Sequence, residues 1–341
     1  MKRKKKLRTE KLPRYSVENY SHRKNVANRG IKIVKSRNHI WLQGITLTGD
    51  APKGFVRIYE YAKNVRHKNT ATWPLYIAKT GHKWYPIESV TEHLLNRLGT
   101  VFGIKMADSK LCIINGQLRF LSRYFLRMDK DTLVHGAEIF AGYLEDQAFV
   151  ESVESANLSR TLFTLQFVEK AVAKAFPIEK EQILNDLVRL LLYDAMVGNN
   201  DRHFFNWAVV QPFDRHKRAC FSPVYDTARG LFWNVSEENL SKRLKQKDVL
   251  NYVKKYCDNS RPKLGWENVG DINHFRLVEE IFNNQFYITK NEVRYLFRKD
   301  MLVAMEKTIS GEFGRLLSAD RISMIVKCLN YRYSIIEEII K

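Results

Sequence analysis

The stretch Gly198–Trp207 reads GNNDRHFFNW and decides how the rest of the chain is interpreted. An apolar, helix-like run ends at Gly198, a short polar loop follows, and a strand-like run begins at Trp207. Within the loop, Asp201 and Asn206 lie five positions apart. Asp and Asn often only cap helices and shape turns. A carboxylate and an amide at this spacing, between a helix and a strand, also meet the needs of a phosphoryl-transfer loop.

A second polar turn follows at Ser222–Asp226 (SPVYD), again at the end of a strand-like run. Phosphoryl transfer from ATP needs a carboxylate that orients the acceptor hydroxyl, and carboxylate and amide oxygens that bind Mg²⁺. We therefore predict that Asp201 is the catalytic base and that Asn206 and Asp226 are magnesium ligands. His203 could act as a base or a ligand. Because it has no neighbouring His or Cys partners, it is interpreted as a catalytic-loop residue that braces the loop.

Two charged residues upstream fit the same chemistry. Lys79 ends a strand-like run, and Glu88 opens the helix-like run that follows. A strand Lys paired with a helix Glu holds the α- and β-phosphates of ATP in kinases. Glu92, one turn after Glu88, competes for that role. The polar turn Thr46–Gly54 lies where a phosphate-covering loop is expected, but it fits neither the G-x-G-x-x-G nor the Walker pattern.

Hydrophobic periodicity divides the chain into two parts. Residues 31–124 are strand-like, with one helix predicted from Pro86 to Gly99, a strand over 75–79 and a hairpin turn at Asn115-Gly116. From about residue 135 onward the pattern is mainly helical. These features predict an α+β protein of two lobes, with the ligand site between them. In the second part, helices are predicted over 162–176, 183–197, 316–329 and 331–340.

The N-terminal segment is strongly basic. Of the net charge of +20, residues 1–38 contribute +12, because fourteen Lys or Arg residues face only Glu10 and Glu18. We predict that residues 1–38 form a flexible basic arm. Either the arm increases solubility without a specific partner, or it contacts nucleic acid or an acidic protein. A contact with a membrane surface is disfavoured because no apolar face accompanies the charges.

Membrane insertion and an oxidising compartment are both disfavoured by the sequence. No apolar run reaches the roughly 20 residues of a transmembrane helix, and no signal-peptide segment follows the basic start. The cysteines are widely spaced without a CxxC pair, which predicts reduced thiols in a cytoplasmic protein. They are Cys112, Cys220, Cys257 and Cys328.

In these motifs and their order, the chain resembles the HipA-like serine/threonine kinases, which include the toxin kinases of bacterial toxin–antitoxin pairs. Residues 199–206 (NNDRHFFN) and 223–226 (PVYD) closely match the catalytic and metal loops of that family. Lys79 matches its strand lysine. Glu88 lies ten residues before Leu98-Gly99, as in the family, which favours it over Glu92.

The resemblance adds three further assignments. Residues 46–53 are similar to the family's phosphate loop, with Thr46 and Thr48 at its usual Ser positions and Ala51 at its usual Gln position. The resemblance implies that Lys53 contacts the nucleotide and that Thr46 or Thr48 is autophosphorylated. Residues 121–124 are similar to the hinge that holds the adenine, so Leu121 and Arg123 are also expected at the nucleotide.

By implication the fold is bilobal and protein-kinase-like, with a β-rich N-terminal lobe over 39–127 and a helical C-terminal lobe over 128–341. The implied activity is phosphorylation of a protein, with ATP and Mg²⁺ as cofactors, and the implied partner is a small helix-turn-helix antitoxin. Two alternatives stay open. One is a phosphoinositide-type lipid kinase, and the other is a kinase-fold regulator that binds nucleic acid or a partner protein.

Overall fold

The computed structural model describes residues 30–42, 53–81, 87–156, 158–214 and 216–341. These residues form two compact units. Unit 1 contains the described residues up to Val90 together with Asp108–Tyr124, and unit 2 contains Thr91–Ala107 and the described residues from Phe125 to Lys341. Thr46, Thr48 and most of the predicted basic arm lie outside the described residues.

Unit 1 is built on a β-sheet. Its described residues form six strands in the order β1-β5-β6-β4-β3-β2. Strands β1 and β5 are parallel, and the other neighbours are antiparallel. The strands are β1 (Lys32–Val34), β2 (His39–Trp41), β3 (Lys53–Ile58), β4 (Leu75–Lys79), β5 (Ser109–Ile114) and β6 (Gln117–Arg123).

Two of the sequence predictions in unit 1 are confirmed. Strand β4 has the predicted bounds, and β5 and β6 are joined by the two-residue turn Asn115-Gly116. Both turn residues have positive φ angles, 55° and 74°. This is the backbone of the turn that Asn-Gly favours, because its twist matches that of the two strands. One face of the sheet is closed by a buried apolar cluster that includes Val56, Tyr76 and Leu121.

Helix α1 (Glu88–Phe102) is longer than predicted. Pro86 lies outside the described residues, and Gly99 lies inside the helix instead of ending it. A Cβ at Gly99 would collide with Sδ of Met106, so this glycine permits close packing. The helix ends one turn later at Gly103, whose φ of 94° suits a residue without a side chain.

Unit 2 is mainly helical, as predicted. A small sheet joins β7 (Asp131–His135), β8 (Ala208–Pro212) and β9 (Cys220–Phe221). The helices are α2 (Gly136–Leu144), α3 (Gln147–Ser155), α4 (Ser159–Leu162), α5 (Leu165–Ala175), α6 (Lys180–Val197), α7 (Glu237–Leu244), α8 (Val249–Asp258), α9 (His274–Asn284), α10 (Lys290–Leu296), α11 (Lys299–Phe313) and α12 (Ala319–Ile340).

Some helix boundaries differ from the periodicity. The helix predicted over 162–176 begins later, as α5 at Leu165, because Thr164 caps it by accepting a hydrogen bond from the Phe167 N–H (3.2 Å). Leu162 is instead the last residue of α4. The two helices predicted over 316–340 are the single helix α12, which Ser318 caps. No helix of the described residues is long and apolar enough to cross a membrane.

Helix α6 is the centre of unit 2. Every residue from Leu190 to Val197 is buried, so its last two turns have no solvent-facing side. Asp194 lies among these apolar residues and is 1% exposed. A carboxylate in such surroundings requires a cationic or hydrogen-bonding partner, and the loop after the helix supplies one.

Candidate active site

The predicted catalytic loop begins where α6 ends. Gly198 caps the helix in the left-handed conformation (φ 66°), and its N–H donates to the Asp194 carbonyl. A Cβ at Gly198 would collide with the guanidinium of Arg332, which lies on α12. Glycine therefore both turns the chain out of the helix and leaves room for a buried arginine at the base of the loop.

Arg202 ties the loop to the end of the helix. Its Nε and Nη2 donate to the two carboxylate oxygens of Asp194, at 2.9 and 3.2 Å, and both side chains are 1% exposed. Its Nη1 donates to the backbone carbonyls of Asn206 (2.8 Å) and Tyr225 (3.0 Å). One buried guanidinium thus fixes α6, the catalytic loop and the predicted metal loop relative to one another.

Asp201 and Asn206 are held together by the backbone of the loop. The Asn206 Nδ2 donates to the Asp201 carbonyl at 2.7 Å, which defines the orientation of the amide. With Nδ2 turned inward, the Asn206 Oδ1 makes no hydrogen bond to any described residue. An amide oxygen of this kind is suited to a hard cation.

The Asp201 carboxylate is partly shielded from water and lies beside a cation. Arg229 approaches its two oxygens at 3.3 Å each, and the Asp201 side chain is 22% exposed. Burial raises the pKa of Asp201 above its ordinary value, while the charge of Arg229 lowers it and the charge of Asp226 raises it. Burial and the positive charge of Arg229 thus act in opposite directions on the pKa of this carboxyl.

His203 contacts both sides of the loop turn. Its Nδ1 accepts from the Phe205 N–H at 3.2 Å, and its Nε2 lies 3.1 Å from the Asn206 Nδ2. These contacts fit the predicted bracing role. The imidazole therefore lies against the side-chain amide of Asn206. No group of three or more His, Cys, Asp or Glu side chains suited to a metal occurs within the described ranges.

Asp226 is presented by a strained turn. Its φ of 54° lies in the left-handed region, which costs a non-glycine residue about 1–3 kcal/mol. The preceding Tyr225 is fixed by the Arg202 bond to its carbonyl and by a 3.0 Å contact between its hydroxyl and the His135 Nδ1. Phe125 stacks on the Tyr225 ring, with centroids 6.2 Å apart. The contacts of Tyr225 thus hold the turn in place and maintain the strained backbone of Asp226.

The segment before Asp226 is bonded to the segment that follows α1. Val224 donates its N–H to the Lys105 carbonyl (2.8 Å) and accepts from the Ala107 N–H (2.9 Å). The Ala107 carbonyl in turn accepts from the buried Asn96 side chain on α1 at 2.7 Å. A chain of hydrogen bonds therefore runs from α1 to a point two residues before Asp226.

Polar contacts beneath the predicted catalytic loop connect Asn200 with α9. Asn200 donates its N–H to the Arg229 carbonyl at 3.2 Å, and its Oδ1 accepts from the Ser260 hydroxyl at 2.5 Å. The Nε2 of His274, the first residue of α9, lies 3.3 Å from the same oxygen. Burial lowers the pKa of His274 well below its ordinary value, so this imidazole is neutral. These contacts leave the Asn200 side chain engaged with Ser260 and His274 and not available to a ligand.

The upstream candidates belong to unit 1. Lys79 and Glu88 are both largely buried, at 9% exposed each. Lys53 on β3 lies directly opposite Lys79 on β4, and Phe120 on β6 lies opposite Lys79 on the other side. The Lys79 Nζ is 5.9 Å from the Phe120 ring centroid. The two lysines thus share one face of the sheet.

The predicted hinge residues occupy different environments. Leu121 lies within β6 between Ala78 and Lys110, and its side chain is fully buried in the apolar cluster of unit 1. Arg123 is the exposed last residue of the strand and forms a loose ion pair with Asp108 (3.8 Å). Of the two, the position of Arg123 leaves its side chain accessible. The assignment of both residues to the nucleotide stays a prediction.

The sequence interpretation did not include several residues that shape the site. Arg202, Asp194 and Arg229 are the most important of them. A signal for the first pair was present, since Asp194 interrupts an otherwise apolar run from Leu190 to Val197. Such a carboxylate needs a nearby cation, and Arg202 is the first Lys or Arg that follows it in the chain.

The fold and the two loops define an α+β protein of the kinase-like type. Residues 45–284, well over half of the chain, match the family described as HipA-like C-terminal domain. The chain belongs to this family, as the motifs of the sequence predicted. Family and fold together support a phosphotransferase.

One solved structure shows the same fold. A Helicobacter pylori proinflammatory kinase, CtkA, superposes with a TM-score of 0.69 at 15% identity, over 91% of this chain and 96% of that one. HipA of Shewanella oneidensis MR-1, from a complex of a toxin–antitoxin system with HipB and operator DNA, gives a TM-score of 0.49 at 12% identity. That alignment covers 97% of this chain and 72% of HipA. No curated protein sequence matches the chain at a significant level.

Proposed function

We propose that this chain is an ATP- and Mg²⁺-dependent protein serine/threonine kinase. The observation that carries the proposal is the set of bonds from Arg202, which connects the loop of Asp201 and Asn206 to the turn of Asp226. A buried ion pair is expensive to maintain. Its use here, to fix two polar turns relative to each other, is expected where a reaction depends on their geometry.

In the proposed mechanism, Asp201 orients the acceptor hydroxyl and accepts its proton. The raised pKa of Asp201 makes it a better proton acceptor than an ordinary aspartate. Asn206 and Asp226 provide the amide and carboxylate oxygens for Mg²⁺, which when bound neutralises charge on the phosphates. Arg229, beside Asp201, supplies a fixed positive charge where the transferred phosphoryl group would meet the hydroxyl.

The proposed nucleotide contacts come from unit 1. Lys53 and Lys79 lie directly opposite each other on neighbouring strands. Like charges in this arrangement repel each other. Their combined positive charge favours a polyphosphate on that face of the sheet. We assign Glu88 as the carboxylate that orients Lys79, and Arg123 as the exposed hinge residue.

Incubation of the purified protein with labelled ATP and Mg²⁺ tests the proposal. We expect label on serine or threonine of a protein, shown by phosphoamino-acid analysis, and none with Asp226→Asn. Label in phosphoinositide vesicles but not in protein would support a lipid kinase instead. Tight binding of nucleic acid without any ATP turnover would support a kinase-fold regulator.

The wider biological setting remains at the level of prediction. A toxin role, a small helix-turn-helix antitoxin partner and a cytoplasmic location all derive from the family resemblance or from composition. Co-purification of a small DNA-binding protein with this chain from its own host would support the toxin–antitoxin reading.

A further inference from the structure

Two cysteines on different helices face each other in unit 2. The Sγ atoms of Cys257, on α8, and Cys328, on α12, lie 3.5 Å apart, and both side chains are fully buried. The other two cysteines of the chain are separate from this pair. Cys112 is buried on β5 of unit 1, and Cys220 is exposed on β9.

A buried arginine accompanies the two thiols. Arg332 lies one turn after Cys328 on α12 and is completely buried. Its Nη1 donates to the Ala195 carbonyl at 2.9 Å, whereas Nε and Nη2 have no hydrogen-bond partner. A guanidinium keeps its charge in proteins, and no carboxylate among the described residues forms an ion pair with this one. The charge of Arg332 acts on both thiols and favours their ionised form.

The electrostatics of the cluster favour a thiolate on Cys328. A hydrogen bond from Cys257 and the charge of Arg332 lower the pKa of the Cys328 thiol, although burial opposes the shift. The pKa of Cys257 is raised, because its thiol donates that hydrogen bond and is buried. Burial raises the pKa of the neighbouring Tyr256 hydroxyl, so this group does not supply a negative charge to balance Arg332. Of the two thiols, Cys328 is the one that ionises more readily, and Cys257 is the one that retains its proton.

We propose that Cys257 and Cys328 are a hydroperoxide-reactive modification site that closes to a disulfide. The Cys328 thiolate attacks one oxygen of the peroxide, forms an S–O bond and releases hydroxide, which leaves a sulfenic acid. The Cys257 sulfur then attacks the Cys328 sulfur, the S–S bond forms, and the S–OH group leaves as water with the Cys257 proton. Two electrons pass from the two sulfurs to the peroxide.

Access to the buried thiols requires a local opening of α8. Val253 and Cys257 are the buried residues of that ten-residue helix, and the rings of Tyr252 and Tyr256 stack on Phe232. A single helix can open without unfolding the rest of its unit, and the thiols become accessible in that open state. Hydrogen peroxide is also small enough to enter through a transient gap, so global unfolding is not required.

Disulfide formation would affect the catalytic loop through Arg332. The disulfide carries no charge, so the buried guanidinium loses its counter-ion, which is strongly unfavourable. Arg332 contacts Ala195 at the end of α6 and fills the space beside Gly198, the first residue of the loop. Displacement of Arg332 therefore loosens the loop. The part of the inference that concerns catalysis rests on the proposed kinase function.

Peptide mapping of the intact protein tests the chemistry. The protein is treated with hydrogen peroxide, quenched with an alkylating reagent and digested. We expect a peptide that joins Cys257 to Cys328, and the loss of both residues from the thiols that react after denaturation. If both residues are recovered as alkylated thiols at a peroxide dose that oxidises the exposed Cys220, the site does not exist.

Amide hydrogen exchange tests the coupling to the loop. We expect faster exchange over 198–206 after oxidation, reversal by dithiothreitol, and no change in Cys257→Ala, which cannot form the bond. Cys220→Ala is the matched control and should behave as the wild type. A disulfide without any change in exchange would refute the coupling. Disulfide and exchange effects in a protein that never turns over ATP would refute the proposed kinase function and leave this inference intact.

Discussion

Arg202 and Asp194 form a two-point ion pair beneath the catalytic loop, with N–O distances of 2.9 and 3.2 Å and almost no exposure of either side chain. Loss of one member leaves the other charge buried without a partner. The pair therefore connects the stability of unit 2 with the geometry of its polar loops, and it gives the first prediction.

Arg202→Met should lower the free energy of unfolding by about 3–5 kcal/mol, because the Asp194 carboxylate stays buried and unpaired. The double variant Arg202→Met with Asp194→Leu should recover part of that loss, but it should not recover phosphoryl transfer, because the bonds to Asn206 and Tyr225 remain broken. Guanidinium denaturation measures the stability. Asp186→Asn, on the same helix but bonded to Gln182 at the surface, is the control.

Asp201→Asn and Asp226→Asn should each reduce phosphoryl transfer by about 10²–10³-fold or more, as expected when a preorganised electrostatic group is removed. Folding should change little, because both carboxylates are partly exposed to solvent. Labelled-ATP transfer and thermal unfolding measure the two effects. Asp214→Asn, in an exposed turn, should retain full activity. A near-normal rate in either site variant would show that the assignment is wrong.

Lys79→Ala should weaken ATP binding, phosphoryl transfer or both, because one of the two neighbouring lysine charges, Lys53 and Lys79, is lost. Glu88→Ala should produce the same kind of defect, and Glu92→Ala a smaller one. Nucleotide titration and transfer rates measure these effects, with the exposed Lys68→Ala as the control. A defect in Glu92→Ala alone would mean that the carboxylate partner lies one turn further along α1.

The pH dependence of transfer should reveal the environment of Asp201. Below its pKa the carboxyl is protonated and cannot accept a proton, so the rate falls on the acidic side. The positive charge of Arg229 lowers this pKa, so Arg229→Gln should raise it and move the acidic limb of the rate profile to higher pH. Arg218→Gln, at an exposed position, should leave the limb in place. A shift to lower pH would contradict the electrostatic account.

Thr46 or Thr48 should become phosphorylated when the protein is incubated with Mg²⁺ and ATP. A phosphate there adds about −1.5 to −2 charges, which would compete with the nucleotide for Lys53 and Lys79 and inactivate the enzyme. Mass spectrometry and transfer assays on the modified protein measure both effects. Phosphate found only at other residues, or full activity in the modified form, would rule the mechanism out.

Sequence alone predicted the α+β class and the Asn115-Gly116 hairpin, and it placed Asp201 and Asn206 in one polar loop after a buried helix. These features are local, since each depends on residue type and short-range spacing. It did not predict the contacts of Arg202, because an arginine in a polar loop usually faces solvent. Its burial depends on how completely α6 is surrounded, which is a property of the folded unit.

Gly99 shows the same limit in another form. Glycine commonly ends helices, and the sequence interpretation ended α1 there. The structure uses the missing side chain to admit Met106 against the helix. Local propensity cannot distinguish a glycine that ends a helix from a glycine that permits close packing. The difference depends on Met106, which the fold brings back against the helix surface.

The contact between Gly99 and Met106 has a mechanical consequence. Met106 forms a bridge with Val224, and Asn96 holds the same segment through the Ala107 carbonyl. Helix α1 and the turn of Asp226 are therefore mechanically coupled through the segment that contains Met106. A rotation of the helix would shift this segment, and with it the backbone two residues before Asp226.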